Sequence, residues 1–101
     1  MQNLANKVVL VTGASSGLGE QICYQAAKQG ATIIACARSV DKLQQVKERC
    51  EELSQNHCYA FKVDMSDAQS IEYLVQAIYA NEKNIDVLVN CAGFGYFEDF
   101  I

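Results

Sequence analysis

The sequence contains no proline, a single histidine and no Cys-x-x-Cys spacing. Without proline, glycine and polar clusters must mark the ends of its elements. The lone histidine, His57, stands beside Cys58 and gives a His/Cys metal cluster little support. The five cysteines (Cys23, Cys36, Cys50, Cys58 and Cys91) are odd in number. That disfavours a disulfide framework and points to reduced, buried thiols in a cytoplasmic protein. Positive charge is also scarce: 8 Lys and Arg stand against 12 Asp and Glu, for a net charge of −4. Binding of a nucleic-acid backbone calls for a basic face, so that partner is disfavoured. A small anionic ligand stays open, because local dipoles can outvote a modest global charge. No basic stretch leads into a long apolar run, and Val8 to Val11 is far too short for a signal peptide or a membrane span. Low-complexity tracts, repeats and long linkers are absent. At 101 residues, 50% hydrophobic and 20% charged, the chain reads as one soluble, intracellular globular domain at most.

What is present alternates. "KVVLVT" (Lys7 to Thr12) is a continuous β-branched run, as expected of a strand buried on both faces. Leu18, Ile22 and Ala26 then recur every fourth residue up to Gln29, and Gly30 supplies a helix stop. "TIIACA" (Thr32 to Ala37) is a second buried strand. Ser39 is placed to cap a helix whose Leu43, Val46, Cys50 and Leu53 share a face. "CYAFKV" (Cys58 to Val63) is a third strand. Ser66 and Gln69 have capping-box spacing, ahead of a helix with Ile71, Leu74, Val75 and Ile78 on one side. "IDVLVN" (Ile85 to Asn90) is a fourth strand, followed by a glycine- and aromatic-rich tail. The β-α-β-α-β-α-β order predicts a doubly wound, Rossmann-like α/β fold with a parallel sheet in the order 3-2-1-4. Ligands of such sheets bind outside the carboxyl ends of the strands, at the switch between strands 1 and 4.

All four strand ends carry candidate residues. After strand 1 comes Gly13-Ala14-Ser15-Ser16-Gly17-Leu18-Gly19. Gly13 can turn the chain with backbone angles closed to other residues. Gly17 and Gly19 let the helix start approach a ligand and the sheet. The unpaired N–H groups of the first helical turn, including Leu18, can hold a pyrophosphate with help from the helix dipole. Ser15 and Ser16 add hydroxyls. The bland alternative is a plain strand-to-helix turn; a P-loop is excluded, since Gly-Lys-Ser/Thr is missing. After strand 2, Arg38 stands where an acid grips the 2′-hydroxyl of NAD and an arginine suits the 2′-phosphate of NADP. The competing acid, Asp41, belongs to the first turn of the next helix, and Arg38 has the alternative of a solvated surface charge. After strand 3, Asp64 could accept the adenine amino group while the Met65 backbone reads the ring edge; alternatively Asp64 only supports the helix start. After strand 4, Asn90-Cys91-Ala92-Gly93 leaves room for the adenosine and the nicotinamide ribose, unless it is a simple turn.

These residues together resemble the N-terminal half of a short-chain dehydrogenase/reductase. Thr12 to Gly19 matches that family's T-G-x-x-x-G-x-G, and Asp64 matches its adenine-contacting aspartate. Asn90-Cys91-Ala92-Gly93 matches N-N-A-G with Cys91 in place of the second asparagine. Arg38 resembles the NADP-preferring members. The resemblance implies an NADP(H)-binding portion, residues 1–101, of an oxidoreductase that passes hydride between NADPH and a carbonyl or alcohol. The alternatives are a non-catalytic NADP(H) sensor and a structural oligomer that binds nothing. The cofactor-binding set is Gly13, Ser15, Ser16, Gly17, Leu18, Gly19, Arg38, Asp64, Met65, Asn90, Ala92 and Gly93, with no metal ligand and no catalytic residue. The family's catalytic serine and Tyr-x-x-x-Lys pair are expected beyond Ile101. Two such strings do occur, Tyr24 to Lys28 and Tyr79 to Lys83. Tyr79 and Lys83 fall at a helix end away from the crevice, and Tyr24 should face outward, off the core stripe. Neither pair is expected to reach a reacting oxygen. The apolar tail (Phe94, Tyr96, Phe97, Phe100, Ile101) can pack on the fourth strand or on another copy, and an unpaired edge on that strand leaves a homo-oligomer open.

Overall fold

The continuous apolar runs become strands, and the segments of helical period become helices between them. The computed structural model describes residues 4–80, 84–91 and 99–100. In chain order the elements are β1 (Val8–Thr12), α1 (Gly17–Lys28), β2 (Thr32–Ala37), α2 (Val40–Ser54), β3 (Tyr59–Lys62), α3 (Ala68–Ala80), β4 (Val87–Asn90) and β5 (Asp99–Phe100). The sheet runs β3-β2-β1-β4-β5. The first four strands pair in parallel, in the expected order 3-2-1-4. β5 is the departure: it pairs antiparallel with β4, so β4 is an interior strand and not the open edge that the alternation alone implied.

Strand side chains alternate between the two faces of the sheet, and this divides the core. Val9, Val11, Ile33 and Ala35 pack with Cys23, Ala27, Leu43 and Val46 of α1 and α2. Leu10, Ile34 and Cys36 point the other way, onto Leu74 and Ile78 of α3. Every one of these strand residues is buried, which explains why β1 and β2 read as unbroken apolar runs and not as alternation.

Three local expectations need correction. The buried face of α1 is Gly19, Cys23, Ala26 and Ala27, one residue round from the Leu18–Ile22–Ala26 stripe; Leu18 is 44% exposed. Small residues let the helix lie close against the sheet, and the large Leu18 is displaced outward. On α3, Leu74 and Ile78 are buried but Val75 is 42% exposed. The helix also starts later than the Ser66 box required. Asp67 Oδ1 accepts the Gln69 N–H at 3.0 Å, while Ser66 is drawn away by Asp64. Ser39 does occupy the N-cap of α2, without a side-chain capping bond.

The end of α1 follows expectation. Gly30 has φ +90, its N–H reaches Ala27 O at 2.9 Å, and the Ala31 N–H reaches Ala26 O at 3.3 Å. This paired closure, with glycine in the left-handed position, is a Schellman stop. Among the described residues no helix is long and apolar enough to cross a membrane. All five cysteines are buried and free.

Candidate functional site

The carboxyl ends of β1, β2 and β4 lie in register: Thr12 is opposite Cys36 on one side and Asn90 on the other. The Thr12 hydroxyl, on a residue 1% exposed, donates to Asn90 Oδ1 at 2.7 Å. The Cys91 N–H reaches Thr12 O at 3.1 Å and the Ala14 N–H reaches Cys36 O at 2.9 Å. These bonds fix three successive strand ends, and the chain leaves each of them at the same edge of the sheet. A cleft of about 710 Å³ opens there. Its walls include Gly13, Ser15 and Ser16 after β1, Arg38 and Ser39 after β2, Asp64 and Met65 after the third strand, and Asn90 with Cys91 after β4. The topological rule that directed attention to the strand ends is met by an actual concavity.

The glycine-rich turn is built from three glycines with three different reasons. Gly13 has φ +67, the left-handed region that L side chains rarely adopt. Its carbonyl accepts the Ser16 N–H at 3.1 Å and the Ser16 hydroxyl at 2.7 Å. A Cβ on Gly19 would lie 2.1 Å from that same carbonyl oxygen, so α1 can approach the turn only with glycine there. A Cβ on Gly17 would meet no atom of the described residues within 4 Å beyond its chain neighbours and the backbone of its own helix. Neither backbone angle nor packing against the rest of the described chain demands glycine at Gly17, and its Cα is open to an outside molecule.

Ser16 is the N-cap of α1, and its hydroxyl accepts the Gly19 N–H at 3.3 Å while donating to Gly13. Its hydroxyl is thus committed to shaping the turn, whereas Ser15 lines the cleft with no such bond among the described residues. The N–H groups of Gly17 and Leu18 likewise have no acceptor among the described residues. Two free donors at the positive end of a 12-residue helix form an anion cradle. A pyrophosphate fits both these donors and the bare Cα of Gly17.

Across the cleft, Arg38 is exposed and follows β2 directly. Asp41 lies in the first turn of α2, as expected, and is not among the residues lining the cleft. Asp64 Oδ1 accepts the Ser66 hydroxyl at 2.7 Å and the Ser66 N–H at 3.0 Å. Those two bonds, with the charge of Arg38 added, hold the Asp64 carboxyl below the usual aspartate range. It is an ionised acceptor at neutral pH, and its Oδ2 accepts no hydrogen bond from the described residues. The floor carries two thiols: Cys36, which sequence reasoning did not assign to the site, and Cys91, which entered it only as part of the Asn90–Gly93 stretch and without a binding role. Burial pushes Cys36 up to about 12 and raises Cys91 as well, so both are neutral, apolar floor and not nucleophiles. Their strand-end positions were the only available signal. Ala92 and Gly93, also expected in the site, lie outside the described residues, as do Lys83 and residues 94–98 and 101 of the tail.

No tyrosine among the described residues lines the cleft. Tyr79 is 73% exposed on α3. Tyr24 corrects its expectation: it does not face outward but packs, half-buried, against the core of α1 and α2. Its hydroxyl donates to Glu20 Oε2 at 2.7 Å.

Comparison with known proteins places this geometry. Residues 7–101 match the family model described as short chain dehydrogenase. The human protein "Dehydrogenase/reductase SDR family member 7" is 40% identical over 93 residues, 89% of this chain and 27% of that protein. The 11-beta-hydroxysteroid dehydrogenase A of Sesamum indicum is 38% identical over 92 residues, 91% of this chain and 26% of its own length. The chain therefore spans about a quarter of the length of these curated relatives. Among solved structures, L-sorbose reductase from Gluconobacter frateurii, in complex with NADPH and L-sorbose, superposes with a TM-score of 0.85 at 32% identity. The match covers 91% of this chain and 35% of the reductase.

Proposed function

The chain belongs to the short-chain dehydrogenase family, and we propose that it is the NADP(H)-binding portion of an oxidoreductase acting on a carbonyl or alcohol. When bound, NADPH supplies the hydride. The residues here bind and orient it. The N–H groups of Gly17 and Leu18, with the Ser15 hydroxyl, hold the pyrophosphate, while Gly13, Ser16 and Gly19 shape the turn. Arg38 takes the 2′-phosphate. Asp64 and the Met65 backbone meet the adenine. Asn90, held by Thr12, leads into Ala92 and Gly93 on the ribose side.

The observation that carries the cofactor choice is Arg38 on the cleft wall directly after β2, with the next acid in sequence, Asp41, not among the cleft-lining residues. A planar guanidinium matches a phosphate with paired, charge-assisted bonds worth roughly 1.5–3 kcal/mol. That is about ten- to a hundredfold in affinity. The NADPH bound to L-sorbose reductase supports the same choice. Five free, buried thiols fit a reducing compartment such as the cytoplasm.

Titration of the chain with NADPH and NADH, following thermal stability or fluorescence, tests this. NADPH should bind about tenfold or more tightly, and Arg38→Asp should abolish the difference chiefly by weakening NADPH. Equal affinities for the two cofactors in the parent chain, or equal losses in Arg38→Asp, would remove Arg38 from recognition of the 2′-phosphate.

A further inference from the structure

Glu20 lies in the first turn of α1 and Lys42 is the third residue of α2. The two helices start at the carboxyl ends of adjacent strands, each beside one of the phosphate-binding turns proposed above. Lys42 Nζ meets Glu20 Oε1 at 2.7 Å, and the Tyr24 hydroxyl donates to Glu20 Oε2 at 2.7 Å. Both carboxylate oxygens are engaged, and the Glu20 side chain is only 18% exposed. Its carboxyl is held below the usual glutamate range by Lys42 and then by Tyr24. Tyr24 in turn packs against the core, so the carboxylate is anchored to the body of α1. Lys42 itself stands near a helix N-terminus, where the dipole disfavours a cation. Its place there is explained by the partner on α1, not by α2.

We propose that Lys42, Glu20 and Tyr24 form a strut that sets the spacing between the Gly13–Gly19 turn and the Arg38–Ser39 turn, so that a ligand with two phosphates engages both at once. The three are positioning residues and do not touch the ligand. The inference rests on the dinucleotide-binding function proposed above.

Two probes separate positioning from simple electrostatics. Adenosine 2′,5′-bisphosphate reaches both turns, whereas adenosine 2′-monophosphate reaches only the Arg38 turn. Removing the negative Glu20 near two phosphates should tighten both ligands if charge alone matters. Loss of the strut predicts the opposite for the bisphosphate. Glu20→Ala should bind the bisphosphate about two- to fivefold more weakly, the range of a partly exposed ion pair, with the monophosphate unchanged or tighter. Lys42→Met should weaken the bisphosphate more than the monophosphate, and the double variant should lose little beyond either single change. Melting curves establish that each variant is folded. If the parent chain binds neither probe, the dinucleotide function fails and the strut with it. If the parent binds both and Glu20→Ala holds the bisphosphate as tightly or more tightly, the strut alone is overturned.

Discussion

Replacing Gly17 and Gly19 separately by alanine should have opposite effects on the free protein, although both glycines belong to one turn. At Gly19 the new methyl would lie 2.1 Å from the Gly13 carbonyl oxygen and 2.8 Å from its carbon. That is about 1 Å short of contact, against backbone that cannot swing aside; overpacking of this kind costs about 1–3 kcal/mol. The same carbonyl holds the Ser16 N–H and hydroxyl, and displacing it weakens bonds worth about 1 kcal/mol each. The better helix propensity of alanine returns at most about 1 kcal/mol. The net loss is about 2 kcal/mol, or on the order of 10 °C in melting temperature for a chain of this size. At Gly17 nothing beyond the chain neighbours and the helix's own backbone lies within 4 Å among the described residues, so alanine should leave the free chain unchanged or slightly more stable, by a few tenths of a kcal/mol. Its methyl would, however, occupy the space the pyrophosphate needs. NADPH affinity should fall about tenfold or more. Circular-dichroism melts with and without NADPH read both quantities. A Gly17→Ala chain that binds NADPH as tightly as the parent would refute close approach of the phosphates to this helix start.

Further outcomes follow from single contacts. Thr12→Val keeps the packing but leaves Asn90 Oδ1 without the Thr12 hydroxyl; denaturant titration should show a loss of about 1 kcal/mol. Asp86 Oδ2 accepts the Val8 N–H at 2.8 Å where β1 begins, so Asp86→Ala should cost about 1 kcal/mol in the same assay. Glu20 has its folded-state pKa below the ordinary 4.5, so the stability it contributes is present above that value and lost as pH falls through the lower folded one. Glu20→Gln should flatten the decline of stability in that acid window. For Cys36 the shift is upward, from 9.0 to about 12: stability is intact below pH 9 and falls as pH rises toward 12, because the unfolded thiol ionises first. At pH 8 a thiol reagent should modify the native chain slowly and all five cysteines once it is denatured; rapid native labelling at Cys36 would contradict its burial.

The strands were the most legible part of the chain. β2 runs from Thr32 to Ala37 as its apolar run implied, because a strand buried on both faces leaves an unbroken hydrophobic signature. Helix faces were less legible. Leu18 outranks Gly19 on any hydrophobic scale, yet Gly19 faces the core because only a residue without Cβ fits against Gly13. The start of α3 depended on a competition that pattern alone does not resolve: Asp64 captures Ser66, and Asp67 becomes the cap. Seven of the expected site residues, from Gly13 and Arg38 to Asn90, line one cleft, since strand-end positions follow from topology. The inward turn of the Ser16 hydroxyl and the bond between Tyr24 and Glu20 were hidden, because both depend on side-chain rotamers and not on spacing.

The bond between Thr12 and Asn90 joins residues 78 positions apart, and it ties the middle of the sheet to its last parallel strand. β1, β2 and β3 lie within residues 8–62 and can pair while the rest of the chain is still unstructured. β4 must then close a loop of about three times the length, against a slowly rising entropic cost. The cleft is thus completed by the least local pairing in the fold, and a ligand gripping both walls acts on folding itself. At a hundred times its dissociation constant such a ligand adds about 2.7 kcal/mol to the folded state. Cofactor supply would then govern how much of the chain persists in its native form.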